Sequence, residues 1–243
     1  MGAALVAPAL LTTGCIEEVL PTNSVVQEQL DGNAKAISAL VWAMPGHLNQ
    51  VGTVGTDQHY DWGQGAIMHA RDVMTADMSV VYSGYNWFST WSSAAVALNS
   101  GYAATQFIWN FQTEQVLTTN KVIGSIDPAT TDPDMMAYLG QGLVFRASTY
   151  LDMARMYEFL PNSIVSATNV DGNDVTGLTV PIVTDKTTEE QARNNPRAKH
   201  NEMVKFILAD LEQAIPLLQK GSARTSKTVP NLGVCYGVMA RLY

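Results

Sequence analysis

The chain has 243 residues, with 14 Lys and Arg against 22 Asp and Glu, and therefore carries a formal net charge of −8 at pH 7. Hydrophobic residues make up 47% and charged residues only 15%, a composition that excludes disorder for the bulk of the chain. The acidic balance argues against nucleic-acid binding, and no apolar run reaches the roughly 18 residues of a membrane-spanning helix, which excludes an integral multi-span protein.

The chain begins with a short apolar leader, residues 1–15, which ends at Cys15 and is followed by two glutamates. Its length fits the apolar region of a secretory signal, although no basic residues precede it. Thr12-Thr13-Gly14 before Cys15 resembles a bacterial lipobox, in which the cysteine is acylated, except that Thr12 stands where Leu is usual. Acyl chains on Cys15 would hold the protein to a membrane, each buried methylene contributing about 0.8 kcal/mol. The alternative is a buried N-terminal helix with an inert cysteine.

Hydrophobic periodicity predicts an all-α body for residues 16–243. The first predicted helix is led by Pro21-Thr22, is interrupted at Asp31-Gly32 and continues from Asn33 until Pro45-Gly46 stops it. The other predicted helices are 64–76, 101–126, 134–159 and 197–219, and a last helix that opens near Asn231. Because the helix at 134–159 is apolar on most sides, we expect it to lie at the centre of a bundle. A turn and a short strand are expected near 175–185.

A sequence pattern that occurs twice in the chain favours tetratricopeptide-like helix pairs joined by long irregular loops. Tyr150-x-x-Met153-Ala154-Arg155-x-Tyr157 recurs as Tyr236-x-x-Met239-Ala240-Arg241-x-Tyr243. Helical repeats need three or more copies, so two copies leave coincidence open. The second copy ends the chain inside a helix, and we expect a protein that is truncated at its C-terminus.

No residue pattern predicts catalysis or a cofactor. The chain lacks the glycine-rich nucleotide motifs, the HExxH zinc motif and the GxSxG nucleophile motif, and its two cysteines and four histidines are too scattered for a metal site. Two acid pairs are candidates for glycan hydrolysis, Asp57 with Asp61 and Asp132 with Asp134. Aspartates in loops and at helix starts are more simply turn or cap residues. We therefore expect no enzyme activity and no cofactor.

The most informative segment is an aromatic one, in which Tyr85, Asn86, Trp87 and Trp91 lie among Gly, Ser and Thr. Flat rings stack on the C–H faces of sugars, while Asn and Tyr hydrogen-bond to hydroxyls. These four residues are the predicted ligand contacts. The alternative is that Trp87 and Trp91, which are four residues apart, share a buried helix face. Trp62, beside Asp61, is a weaker candidate.

The motifs of this chain, from the lipobox-like segment at Cys15 through the aromatic segment to the last helix, resemble in their order the SusD/RagB family of Bacteroidota outer-membrane lipoproteins. The acidic residues after Cys15 look like the export signal of surface lipoproteins in that phylum. The resemblance covers essentially the whole chain, but only about the N-terminal half of a usual family member. It rests on Cys15-Ile16-Glu17-Glu18, Leu20-Pro21-Thr22-Asn23-Ser24, Ser83-Gly84-Tyr85-Asn86-Trp87, Asn120-Lys121-Val122-Ile123, Phe145-Arg146-Ala147, Val180-Pro181-Ile182-Val183, Asn195-Pro196-Arg197-Ala198, residues 207–218 and Met239-Ala240-Arg241-Leu242-Tyr243. The aromatic loop departs from the commoner Gly-Asp-Trp.

The resemblance implies a non-catalytic nutrient-binding protein that is lipid-anchored through Cys15 on the exposed face of the outer membrane. It would sit on a SusC-like TonB-dependent transporter and pass oligosaccharides to it, or peptides as in some members. Two alternatives stay open. The helix pairs could form a protein-interaction scaffold that binds only the transporter, or the protein could be an all-α glycan hydrolase that uses Asp57 and Asp61.

Overall fold

The structure is a computed structural model that describes residues 33–51, 61–75, 77–80, 91, 101 and 103–243. This part of the chain is all-α, as predicted. The leader, Cys15 and the start of the predicted first helix lie outside the described residues. The helices are α1 (Ala34–Leu48), α2 (Gly63–Val73), α3 (Ala103–Gly124), α4 (Pro133–Tyr157), α5 (Glu189–Arg193), α6 (His200–Lys220) and α7 (Leu232–Leu242).

Helix α1 continues through Pro45-Gly46, so the predicted stop at these residues is wrong. The helix starts after Asn33, whose side chain accepts a hydrogen bond from the Ala36 amide at 3.1 Å, and it ends at Leu48. Pro45 removes one backbone hydrogen bond, but this turn is packed against α3. The buried His47 ring bonds the Phe111 carbonyl oxygen at 2.8 Å and stacks on the Phe111 ring, with centroids 4.4 Å apart. Packing therefore outweighs the local helix-breaking signal.

Helix α4 lies at the centre of the bundle, in agreement with its apolar sequence. It packs between α3 and α6, and two glycines allow these neighbours to come close. A Cβ on Gly140 would lie 2.8 Å from a side-chain carbon of Leu218 in α6, and one on Gly142 would lie 3.1 Å from Ile123 in α3. Any larger side chain at Gly140 would push α6 away from α4.

The neighbours of α4 run antiparallel to it. Along α3, Ile123 lies beside Gly142 near the start of α4, whereas Trp109 meets Tyr157 at its end, with ring centroids 5.2 Å apart. Along α6, Leu218 lies beside Gly140, and the Phe206 ring meets that of Tyr150 at 5.3 Å. Helix α7 covers α6 and α4 and buries Cys235. This arrangement of antiparallel pairs fits the predicted helix pairs.

The short strand expected near 175–185 is not formed there. The segment contains only isolated bridges, from Thr176 to Phe159 and from Leu178 to Lys199. Its first part pairs with other backbone: the Thr179 amide donates to the Ala198 carbonyl oxygen at 2.8 Å, and the Ala198 amide donates to the Val180 carbonyl oxygen at 3.1 Å. Its second part pairs with side chains: Tyr150 and Asn120 bond Val183, and Asn195 bonds the Ile182 carbonyl oxygen. The backbone pairing with residues 198–200 stops at Val180, and side chains from other elements bond Ile182 and Val183 instead, so the bridge does not extend into a strand.

The remaining helix predictions agree with the structure to within a few residues. Helix α7 begins after Asn231, whose side chain caps the Val234 amide at 3.1 Å. Helix α5 is not predicted from the sequence, because four polar residues and one alanine carry no hydrophobic period. It starts with a capping box between Thr188 and Gln191. None of the helices in the described ranges combines the length and hydrophobicity needed to cross a membrane.

Candidate functional site

The predicted aromatic site is described in part. Tyr85, Asn86 and Trp87 lie outside the described residues, and Trp91 lies within them. The Trp91 side chain is 2% exposed and packs against Ala70 and Val73 on α2. The Trp91 indole ring therefore contacts protein rather than solvent, as expected if the ring serves packing instead of ligand binding. Trp91, at the end of the predicted aromatic segment, thus packs on α2.

Helix α2, to which Trp91 is attached, is held firmly at its start. Gly63 has a φ of 72°, and a Cβ at this position would lie 2.5 Å from the Leu48 carbonyl oxygen. Only glycine adopts this positive φ without strain and also lacks the Cβ atom that would clash. One turn further on, Ile67 is buried with Phe107 and Phe111 of α3. The α1–α2 corner and α3 therefore fix the position of α2, the helix on which Trp91 packs.

An exposed tryptophan and a buried aspartate immediately precede α2. Trp62 is 60% exposed, so its ring faces solvent and has a surface on which an apolar ligand face can stack. Asp61 is fully buried and interacts with surrounding groups. Burial and engagement favour a structural role for Asp61 over a catalytic one. Asp57, its proposed catalytic partner, lies outside the described residues.

The other pair of candidate acids acts at the start of α4. The Asp132 carboxylate accepts hydrogen bonds from the Asp134 and Met135 amides at 2.8 and 3.1 Å, so it is the N-cap of the helix. Asp134 lies in the exposed first turn. Within the described ranges, no group of three or more His, Cys, Asp and Glu residues could hold a metal ion.

A buried polar network at the middle of α4 is a feature that the sequence did not reveal. The Arg146 guanidinium donates to both carboxylate oxygens of Asp210 at 2.8 Å, to Asn120 at 2.9 Å and to Asp185 at 3.1 Å. Burial alone lowers the pKa of Arg146, but these carboxylates outweigh it and raise the pKa, so the guanidinium stays charged. The partners lie 26 to 64 residues away in sequence, and no local spacing predicts them.

The same network anchors residues 180–185 to the helices. The Tyr150 hydroxyl donates to the Val183 carbonyl oxygen at 3.0 Å and accepts from the Val183 amide at 2.7 Å, while Asn120 donates to the same carbonyl oxygen at 3.0 Å. Burial raises the pKa of Tyr150 to about 12, so the hydroxyl keeps its proton at neutral pH. The network therefore stabilises a long irregular segment, and none of its geometry implies catalysis.

The comparisons with known proteins agree with the predicted family. Residues 30–243 match a SusD-like family model that is described as starch-binding and associating with the outer membrane. A crystal structure of a SusD-like carbohydrate binding protein from Bacteroides vulgatus is similar in fold, with a TM-score of 0.69 and 23% sequence identity. The similarity covers 86% of this chain and 40% of that one, so the chain spans about two-fifths of that protein's length. No curated protein matches the chain.

Proposed function

We propose that this chain, which belongs to the SusD-like family, is part of a cell-surface receptor that binds carbohydrate without converting it. The match of residues 30–243 to a family described as starch-binding and associating with the outer membrane carries the proposal. Where the structure describes the candidate acids of the hydrolase alternative, it supports binding over hydrolysis, because Asp132 caps a helix and Asp61 is buried.

In this proposal the aromatic segment provides the ligand contacts. Tyr85 and Trp87 stack on sugar rings, and Asn86 hydrogen-bonds to hydroxyls. Trp91 holds the segment on α2, because its ring is buried against Ala70 and Val73. A binding loop needs such support, since a loosely held ring loses more conformational freedom when the ligand binds.

The remaining parts of the proposal concern location and delivery. The protein is attached to the outer membrane through acyl chains on Cys15, and it passes oligosaccharides to a SusC-like TonB-dependent transporter. Its tetratricopeptide-like helix pairs present extended surfaces of the kind that bind other proteins. Mass spectrometry of Cys15 tests the anchor, and co-purification of a TonB-dependent barrel from the native membrane tests the partner. An unmodified Cys15 in the cytosolic fraction would contradict both.

The binding site is tested by calorimetric titration with maltotriose, xylotriose, mannotriose and N-acetylchitotriose, each measured separately. We expect Trp87→Ala to weaken binding of the recognised trisaccharide by about tenfold, the upper range for loss of one stacking ring. Trp109→Ala is the control, because Trp109 is an exposed indole on α3 that packs on Tyr157. Binding that is equal in both variants would refute the assignment. A peptide-binding receptor would bind none of the four sugars.

A further inference from the structure

A cavity lies between α1, the start of α4 and residues 222–229. Its volume is about 280 Å³. This is just below the roughly 300–1,000 Å³ of pockets for drug-sized ligands, so it suits a ligand of one or two rings. We call it the Trp42 pocket; the lining residues that matter here are Trp42, Ser38, Asp134, Tyr138, Gln141 and Arg224.

The walls of the Trp42 pocket are firmly held by the fold. A Cβ on Gly221 would lie 2.7 Å from the Ala137 amide nitrogen, so the chain leaving α6 touches the backbone of α4. The next residue, Ser222, donates its amide to the Pro133 carbonyl oxygen at 2.9 Å. On the far side, the Tyr138 hydroxyl bonds Ser38 of α1 at 3.4 Å. The cavity is therefore formed before any ligand arrives.

Gln141 is the residue that points to a ligand. Its side chain is 3% exposed, and its Oε1 is buried without a hydrogen-bond partner among the described residues. A buried amide group without a partner destabilises a protein by about 1–3 kcal/mol. The terminal torsion of glutamine is soft, so a modest rotation can turn the amide toward a ligand in the pocket that it lines. A ligand hydroxyl would supply the missing hydrogen bond.

The other groups of the pocket fit a sugar. The Trp42 indole ring is 45% exposed, an unusual position for tryptophan, and it provides a flat apolar surface for a ring's C–H face. At the rim, the exposed Asp134 carboxylate can accept hydrogen bonds from a ligand. Arg224 uses one N–H on the Val229 carbonyl oxygen at 3.2 Å and has others to donate. A sugar hydroxyl can both donate and accept hydrogen bonds. It can therefore donate to the Asp134 carboxylate or to the Gln141 oxygen, and accept from the Arg224 guanidinium.

We infer that the Trp42 pocket is a second carbohydrate site, built from residues other than those of the aromatic segment, that binds one or two sugar rings. Stacking on Trp42 and a hydrogen bond to Gln141 provide the recognition. The inference rests on the proposed function for the class of ligand, but it uses none of the residues of the aromatic segment. Two sites on one receptor would let a long polysaccharide be held at two points, which raises its overall affinity.

The test uses the full chain carrying Trp87→Ala, which weakens the aromatic segment, and asks whether the remaining binding depends on Trp42 and Gln141. Calorimetry with the same four trisaccharides should show millimolar binding of one of them. Adding Trp42→Ala should weaken it about tenfold, whereas adding Trp109→Ala should leave it unchanged. Gln141→Leu should weaken it about fivefold and raise the melting temperature, because leucine removes a buried oxygen, Oε1, that has no hydrogen-bond partner among the described residues.

The possible results separate the two sites. Residual binding that is absent, or that neither Trp42→Ala nor Gln141→Leu affects, would overturn the Trp42 pocket and leave the proposed function intact. If Trp87→Ala has no effect on the wild-type affinity and Trp42→Ala removes binding, then the aromatic segment is wrongly assigned and the pocket stands. A wild-type protein that binds none of the four sugars would overturn both.

Discussion

Replacement of Arg146 by methionine should destabilise the protein strongly, because it leaves a buried carboxylate without its partner. Asp210 is 5% exposed and receives two hydrogen bonds at 2.8 Å from this guanidinium. Removing one member of a buried ion pair costs about 3–5 kcal/mol, and we expect a loss of that size in the free energy of unfolding. Asp210→Leu should cost less, about 1–3 kcal/mol, because Arg146 keeps Asp185 and Asn120.

The double variant Arg146→Met/Asp210→Leu provides the decisive comparison. It replaces the pair with apolar side chains and should be more stable than Arg146→Met alone, so that the two losses are far from additive. Urea unfolding at pH 7 measures all four proteins. In Arg146→Met the unpaired Asp210 should have a pKa above its unfolded value, so stability should recover as the pH falls toward 5. Losses that add, or a loss below about 1 kcal/mol for Arg146→Met, would refute this account of the network.

The remaining predictions concern Tyr150 and the α1–α2 corner. Burial raises the pKa of Tyr150 to about 12 from an unfolded value near 10, so its contribution is complete below pH 10 and is lost as the pH rises toward 12. The unfolding free energy should fall by roughly 2–3 kcal/mol as the pH rises through both pKa values, and Tyr150→Phe should flatten this fall; an unchanged alkaline profile would contradict the burial argument. Gly63→Ala should cost about 2–3 kcal/mol in urea unfolding, because it adds a clash to a left-handed backbone. Gly65→Ala, in the same helix with open space around it, should stabilise by about 0.5–1 kcal/mol, and equal effects at both glycines would disprove the steric reason.

The sequence was sufficient to predict most of the helices. The hydrophobic periodicity and the helix-capping residues predict the bounds of α4 and α6 to within a few residues, because long amphipathic or apolar stretches have few alternative structures. Local signals failed where distant contacts decide the outcome. Pro45 was expected to end a helix, yet the contact between His47 and Phe111 carries α1 past it.

The candidate site was less predictable than the fold. Aromatic residues in a polar segment indicated a sugar-binding function, but composition cannot distinguish a ring that stacks on a ligand from one that packs inside, and Trp91 packs on α2. The partners of Arg146 and the missing partner of the Gln141 Oε1 atom depend on which helices meet. Such pairings come from tertiary contacts, which no spacing within one helix reveals.

The central claim is that this protein holds carbohydrate and leaves it intact. Its most direct test incubates the purified full chain with the trisaccharide that it binds best, measures the bound fraction by calorimetry and analyses the recovered sugar by mass spectrometry. We predict saturable binding and a trisaccharide of unchanged mass after prolonged incubation. Release of shorter sugars by the wild-type protein, abolished by Asp61→Asn, would contradict the claim and establish the hydrolase alternative.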